Sequence, residues 1–157
     1  MKNLKEKLRK NGGFTLVEML IVVAIIAILI AVSIPMVGSA LEKSRHAVDA
    51  ANNRDAISLA SIAYLTETIE KADGTTEKIT YTNGTSEELS YVVDPTTHQG
   101  KLIKGDPAAP YKAVTPECSC SGATDTALTV TINETTGAAT TSWEIDSTTG
   151  VVTERKG

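Results

Sequence analysis

The sequence predicts an α+β protein in which one long N-terminal helix packs on a small antiparallel β-sheet head. Three observations carry this prediction. Residues 19–37 are apolar without a charge, an amphipathic pattern with helical spacing continues to about residue 72, and residues 73–157 are rich in Thr, Ser, Gly and Asn with short alternating segments. One helix with short strands after it is typical of a two-layer α+β domain. A chain of 157 residues accommodates one such domain and an extended helix.

The first half of the predicted helix, residues 14–37, is apolar all round. A surface helix of a soluble domain would show one polar face, so this half belongs in a membrane or among other apolar helices. About 20 apolar residues span a bilayer. The preceding residues 1–13 carry five basic side chains and one acidic one, which would hold the N-terminus in the cytoplasm.

Pro35 and Gly38 mark the centre of the predicted helix. Proline lacks the backbone N–H and its ring clashes with the preceding turn. We therefore expect a kink or local melting at these two residues.

The second half of the helix, residues 38–72, is amphipathic, and Gly74 offers a cap after its end. A broad apolar face should pack on the sheet, and Ile57 and Tyr64 point to the opposite side at about 100° per residue. That face comprises Leu41, Val48, Ala51, Ala56, Leu59, Ile62, Ala63 and Ile69.

The head, residues 73–157, is predicted to be a small sheet of short strands. Its last three strands, near 128–132, 141–145 and 151–153, are expected to form an antiparallel meander because glycine-bearing turns separate them. Strict alternation places Leu128, Val130 and Ile132 inward, facing the helix, with Trp143 and Ile145 on the paired strand. Earlier strands are predicted at 78–82, 89–93, 101–104 and 111–115.

Glu18 is a carboxylate at the start of the apolar run. Such a group at the centre of a membrane helix costs about 2.5 to 3.5 kcal/mol on insertion scales. One interpretation is structural: Glu18 lies at the membrane interface and its charge complements the helix dipole. The other is that Glu18 needs a cationic partner, which cleavage after Gly13 would create as the new amine of Phe14.

The junction reads Lys-Asn-Gly-Gly-Phe-Thr-Leu-Val-Glu over residues 10–18, followed by the apolar run. This pattern resembles the class III leader of type IV prepilins and pseudopilins, and the resemblance covers about the first quarter of the chain. It implies that residues 1–13 are a leader, that a membrane prepilin peptidase cuts between Gly13 and Phe14, and that Phe14 is then N-methylated. It also implies that residues 14–37 become a filament core, with Glu18 acting in assembly and Pro35 where the family's helix bends or melts.

The resemblance implies a structural subunit of a type IV pilus, serving adhesion, twitching motility or DNA uptake. Its partners would be the peptidase and methyltransferase, identical and related pilin subunits, and the assembly platform in the membrane. The precursor would sit in the cytoplasmic membrane with its head exported, and the assembled subunit would be in a cell-surface pilus. No cofactor is implied.

Other interpretations stay open. The chain could be a pseudopilin of a type II secretion or competence machine, or a membrane-anchored adhesin with a Thr-rich head. It could also be a single-span anchor, or carry an ordinary secretory signal cut near Ala31-Val32-Ser33, although such a cut would remove the most distinctive segment.

Cys118 and Cys120 are the two cysteines of the chain, separated by one residue. A local or intermolecular disulfide, free thiols, and metal binding or covalent attachment are alternatives, and an exported head permits oxidation. The family's widely separated cysteine pair is absent here. Neither His46 nor His98 is near these cysteines in sequence, so no metal site is predicted.

Charge and composition argue against other function classes. After residue 13 the chain has 10 basic and 18 acidic residues and few aromatics, so no dedicated nucleic-acid surface is evident. The sequence has no phosphate-binding glycine loop, nucleophile elbow or zinc motif. We therefore do not expect an enzyme.

Overall fold

The computed structural model describes residues 14–107, 110–118, 126–149 and 151–155. It confirms the α+β class: one long helix, α1, packs through its C-terminal part on small sheets that are almost wholly antiparallel. The predicted leader, with Gly13, lies outside these residues, as does Cys120. The elements are α1 Leu16–Thr66, β1 Thr68–Glu70, β2 Thr76–Lys78, β3 Tyr81–Thr82, β4 Thr85–Ser86, β5 Leu89–Val93, β6 Gly100–Lys104, β7 Thr129–Ile132, β8 Ala139–Thr141, β9 Trp143–Ile145 and β10 Val152–Glu154.

The chain divides into two compact units, Met1–Ala40 and Leu41–Gly157. The described part of the first unit is the apolar portion of α1 and the two residues before it, and all its side chains are exposed. The helical backbone is continuous through Pro35 and Gly38. The structure therefore shows no melting there, and the bend at these residues stays a prediction.

The helix ends at Thr66, earlier than the predicted residue 72. Glu67 adopts a left-handed conformation with φ 54°, which breaks the helical path, and β1 begins at the next residue. Ile69 is consequently a buried strand residue rather than part of the helical face. Gly74, expected as the helix cap, instead allows the turn between β1 and β2 with its φ of 81°.

The main sheet has six strands in the order β2-β1-β6-β5-β7-β8, with β3–β4 and β9–β10 as separate hairpins. Every pairing is antiparallel except the single β1–β6 contact, where Glu70 pairs with Ile103 in parallel. The expected strand at 141–145 is two strands, because Ser142 separates β8 from β9. The Ser142 N–H donates to the carbonyl of Thr129 in β7, whereas the Ser142 carbonyl accepts the N–H of Arg155, which follows β10. The chain therefore leaves the main sheet at Ser142.

The head core forms between the alanine-rich face of α1 and the sheet. Ala56, Ala60 and Ala63 are buried in this core. Leu128, Val130 and Ile132 are buried as predicted. Trp143 is also buried and Ile145 partly buried, but the prediction that both lie on the strand paired with β7 is wrong, because β7 pairs with β8 whereas β9 pairs with β10. The predicted three-strand meander is therefore divided between two sheets. The rest of this core comprises Ile69, Ile79, Leu89, Tyr91, Leu102, Cys118 and Val152.

The predicted apolar face of α1 is rotated relative to the observed one. Leu41, Val48 and Ile62 are exposed, whereas Tyr64, expected on the far side, packs partly against the core. Gly137 explains this placement, because a side chain there would overlap the Tyr64 ring. The buried face of α1 consists mainly of alanines, and Leu59 and Tyr64 pack partly buried beside them.

A hydrogen bond joins α1 to the sheet at Tyr91. Its hydroxyl donates to Asp55 Oδ2 at 2.8 Å. Burial, and then the neighbouring Asp55 carboxylate, raise the pKa of Tyr91 well above its ordinary value, so the hydroxyl remains a donor. Gly100 lies against both groups and leaves room for this contact.

Candidate processing and assembly site

The N-terminus of α1 is capped by reciprocal hydrogen bonds between Thr15 and Glu18. The Thr15 backbone N–H and hydroxyl each donate to Glu18 Oε2 at 2.8 Å, and the Glu18 backbone N–H donates to Thr15 Oγ1 at 3.2 Å. The first helical bond, from Met19 N–H to the Thr15 carbonyl, is 3.2 Å long. Thr15 is therefore the N-cap and Glu18 the third helical residue of a capping box.

Glu18 therefore caps the helix through hydrogen bonds. The structural interpretation in the sequence analysis considered only the interaction of its charge with the helix dipole. The signal was present, since a threonine three residues before a glutamate at the start of an apolar run is the pattern of a capping box. Loss of such a cap costs about 0.5 to 2 kcal/mol. These contacts provide hydrogen-bond partners for the backbone N–H groups of Thr15 and Glu18, and the Glu18 carboxylate remains exposed at the helix end.

Phe14 lies immediately before the helix, outside any regular element, and its side chain is 78% exposed. The backbone on the C-terminal side of the predicted scissile bond is therefore neither helical nor packed. Gly13, on the other side of that bond, is outside the described residues.

The apolar residues after Glu18 make α1 long and apolar enough to cross a membrane, by length and composition. Their large apolar side chains are exposed in the described chain, from 47% at Ile26 to 70% at Met36. Exposure of this many contiguous apolar side chains is unusual for a soluble domain and indicates contact with lipid or with other apolar helices.

The head contains a second set of polar contacts that sequence reasoning missed. Asp49 is fully buried, and its two carboxylate oxygens accept backbone N–H groups of Glu117 and Cys118 at 2.8 and 3.0 Å. Cys118 is disulfide-bonded and buried, while Cys120 lies outside the described residues. An aspartate among surface-like helical residues gave no sequence signal of burial.

The two histidines lie in different elements of the described chain. His98 lies in the turn after β5, with φ 56° and its N–H donating to the Asp94 carbonyl, and His46 lies in α1. Across the described ranges, no group of three or more His, Cys, Asp and Glu residues could hold a metal ion.

Comparison with known proteins connects the N-terminal geometry to one family motif. Residues 8–34 match the family model of the prokaryotic N-terminal methylation motif. No curated protein and no solved structure matches the chain. The motif is that of structural pilin-type proteins and not an enzymatic signature, and with the apolar helix it indicates membrane anchoring of the precursor. Residues 8–34 of this chain are thus similar to the class III signal peptide region of type IV pilin-like and pseudopilin precursors.

Proposed function

We propose that this protein is the precursor of a structural subunit of a type IV pilus. A prepilin peptidase cuts it between Gly13 and Phe14, Phe14 is N-methylated, and the mature subunit enters a helical surface filament. One observation carries the proposal: the methylation motif at residues 8–34 includes the apolar start of α1, a helix whose C-terminal part packs in the folded head.

The proposed cleavage suits the residues at the junction. Gly13 has no side chain to obstruct the peptidase at the scissile bond. Phe14 is exposed and non-helical, so the bond need not be freed from a helix before it is cut. Cleavage creates an amine at Phe14, and an unperturbed α-amine has a pKa of about 7.7 to 8.0, so it is mostly cationic near neutral pH.

In the proposed filament, Glu18 neutralises the Phe14 amine of a neighbouring subunit. Transfer of an apolar helix from lipid into a helix bundle gives little hydrophobic free energy, because lipid is as apolar as the helix surface. A polar pair is therefore well placed to set the register between subunits. The capping bonds from Thr15 engage Glu18 Oε2, and the carboxylate carries a second oxygen toward which an amine could approach.

The same motif begins the pseudopilins of type II secretion and competence machines, so the test must separate the two. Sheared surface material from the native cell should be imaged with antibodies against the head. Labelled long filaments support a pilus. Cleaved protein that stays in the membrane fraction, with no labelled filament, contradicts a pilus and favours a pseudopilin. Protein that keeps its leader contradicts both and favours a membrane-anchored adhesin.

A further inference from the structure

Three segments of the head meet around a cavity of about 440 Å³, here called the tyrosine cavity. Its walls come from the end of α1 and the residue that follows it, from β2 and β3, and from the turn between β7 and β8. Ligand sites in proteins typically have volumes of about 300 to 1,000 Å³, so this cavity has room for a small ligand or for a protein side chain. The lining residues are Tyr64, Leu65, Glu67, Lys78, Tyr81 and Glu134.

The walls of the tyrosine cavity are joined by contacts between segments that are distant in sequence. The Tyr64 hydroxyl donates to the Glu134 carbonyl at 3.3 Å, which connects the helix to the β7–β8 turn. The Ile79 N–H donates to the Glu67 carbonyl at 3.1 Å, which connects the end of the helix to the segment between β2 and β3. Gly137 lies against the Tyr64 ring, where a side chain would overlap it. The cavity is therefore a product of the folded head and not of one loop.

Two carboxylates and one ammonium line the cavity, so its charge is unbalanced. The Lys78 ammonium lies 2.8 Å from the Glu67 carboxylate, and these two charges largely compensate each other. Within the part of the chain that the structure describes, the Glu134 carboxylate has no hydrogen bond or ion pair. The lining is therefore negative overall, with the uncompensated charge at Glu134.

Two partly buried tyrosines, Tyr64 and Tyr81, lie beside this charge. Burial raises the pKa of Tyr81 above its ordinary value, and neighbouring acidic groups, Glu134 among them, raise it further. Glu134 is thus close enough to Tyr81 to act on it electrostatically. An aromatic ring attracts a cation through its quadrupole, and a carboxylate attracts it through its charge. The two kinds of group together favour a cationic ligand.

We propose that the tyrosine cavity binds an alkylammonium group, supplied by a lysine side chain of another protein or by a small free amine. The ammonium pairs with Glu134 beside the tyrosines, and its aliphatic chain contacts Leu65, whose side chain is 80% exposed. Glu134 repels an anion, and a neutral ligand gains nothing from its charge. This inference concerns the head alone and does not depend on the filament proposed above.

The first test needs no variant and uses the full chain in detergent. Two probes, Nα-acetyl-lysine amide and its Nε-acetylated form, are titrated separately while the backbone amide signals are followed by nuclear magnetic resonance. The probes share one aliphatic chain, and only the first carries a charge. The charged probe should shift the signals of Tyr81 and Glu134 to saturation. The neutral probe should bind about tenfold more weakly, equivalent to about 1.4 kcal/mol, because it lacks the ion pair and the cation–π contact.

The second test assigns the charge selectivity to Glu134. Glu134→Gln should bind the charged probe about fivefold more weakly than the parent does, because an exposed ion pair is lost. The substitution should leave the fold intact, since Tyr64 and Gly84 bond the backbone of Glu134 and not its side chain. Glu144→Gln is the matched control, because Glu144 is an exposed glutamate of β9 that does not line the cavity.

A third probe, 5-aminopentan-1-ol, distinguishes the two sources of the ammonium group, because it has no peptide backbone. Tighter binding of this probe than of Nα-acetyl-lysine amide supports a free amine, and the reverse supports a lysine side chain. The proposal is overturned if the charged and neutral lysine probes bind the parent equally, or if the signals of Tyr81 and Glu134 do not shift. It is also overturned if Glu134→Gln and Glu144→Gln bind the charged probe equally.

Discussion

Glu18 has two proposed tasks, helix capping and pairing with an amine, and a single substitution can separate them. In Glu18→Gln the amide oxygen can still accept the Thr15 N–H and hydroxyl that now bond Oε2 at 2.8 Å, because glutamine also serves in capping boxes. The negative charge is lost. Thr15→Ala has the complementary effect, since it removes the capping hydroxyl and keeps the charge.

Loss of the cap and loss of the amine pair should change the docking equilibrium by different amounts, because the cap is present before and after docking whereas the pair is present only after it. The cap forms within one subunit, so its loss of about 0.5 to 2 kcal/mol applies in the membrane and in the filament alike and largely cancels. The amine pair exists only after docking. Leaving one partner of a buried pair unsatisfied costs about 3 to 5 kcal/mol, which corresponds to a reduction of about 100-fold or more in the docking equilibrium.

The assay is the yield of sheared filaments from cells that express only the variant, with an immunoblot to confirm cleavage. We expect Glu18→Gln and Glu18→Ala to be inserted and cleaved but to give few filaments. Thr15→Ala should give a near-normal yield. Wild-type yield from cleaved Glu18→Gln would refute the charge pairing and leave Glu18 with its capping role alone.

Three further predictions concern cleavage and the head. Gly13→Val should leave the precursor uncut, because a β-branched side chain obstructs the scissile bond; a normal mature band on an immunoblot would contradict this. Val130→Asp should unfold or strongly destabilise a soluble fragment beginning near residue 39, since Val130 is 1% exposed and a buried unpaired carboxylate costs several kcal/mol; a melting temperature equal to the parent's would show that β7 is packed differently. Gly100→Ala should lower that melting temperature through overpacking of about 1 to 3 kcal/mol, because its Cβ would overlap the Asp55 carboxylate and the Tyr91 hydroxyl. Tyr91→Phe is the control, because it removes the hydrogen bond from Tyr91 to Asp55 without creating an overlap. If Tyr91→Phe lowered the melting temperature as much as Gly100→Ala or more, the overlap itself would have no measurable cost.

The sequence predicted those features that depend on local pattern. Hydrophobic periodicity in the sequence predicted the apolar helix and the strands at 89–93 and near 101–104. It also predicted the inward positions of Leu128, Val130 and Ile132, which are buried. The N-terminal motif is likewise a contiguous pattern, and the family model matches it at residues 8–34.

The features that were missed depend on contacts distant in sequence. The helix ends at Thr66 because Glu67 turns into β1, which pairs with β2 shortly after it and with β6 about 30 residues later. The buried face of α1 was misplaced because the prediction followed the larger apolar side chains, several of which are exposed, whereas the buried helix residues are mostly alanines. Asp49 is buried because its partners are Glu117 and Cys118, about 70 residues away, and helical spacing gives no information about such partners.

The N-terminus of the mature protein tests the central claim most directly. Protein purified from the native cell should be analysed by intact mass and by tandem mass spectrometry of its N-terminal peptide. The account predicts a chain that begins at Phe14 and carries one methyl group on its amine, with residues 1–13 absent. A chain that retains its leader, or that begins after Ala31-Val32-Ser33, would contradict it.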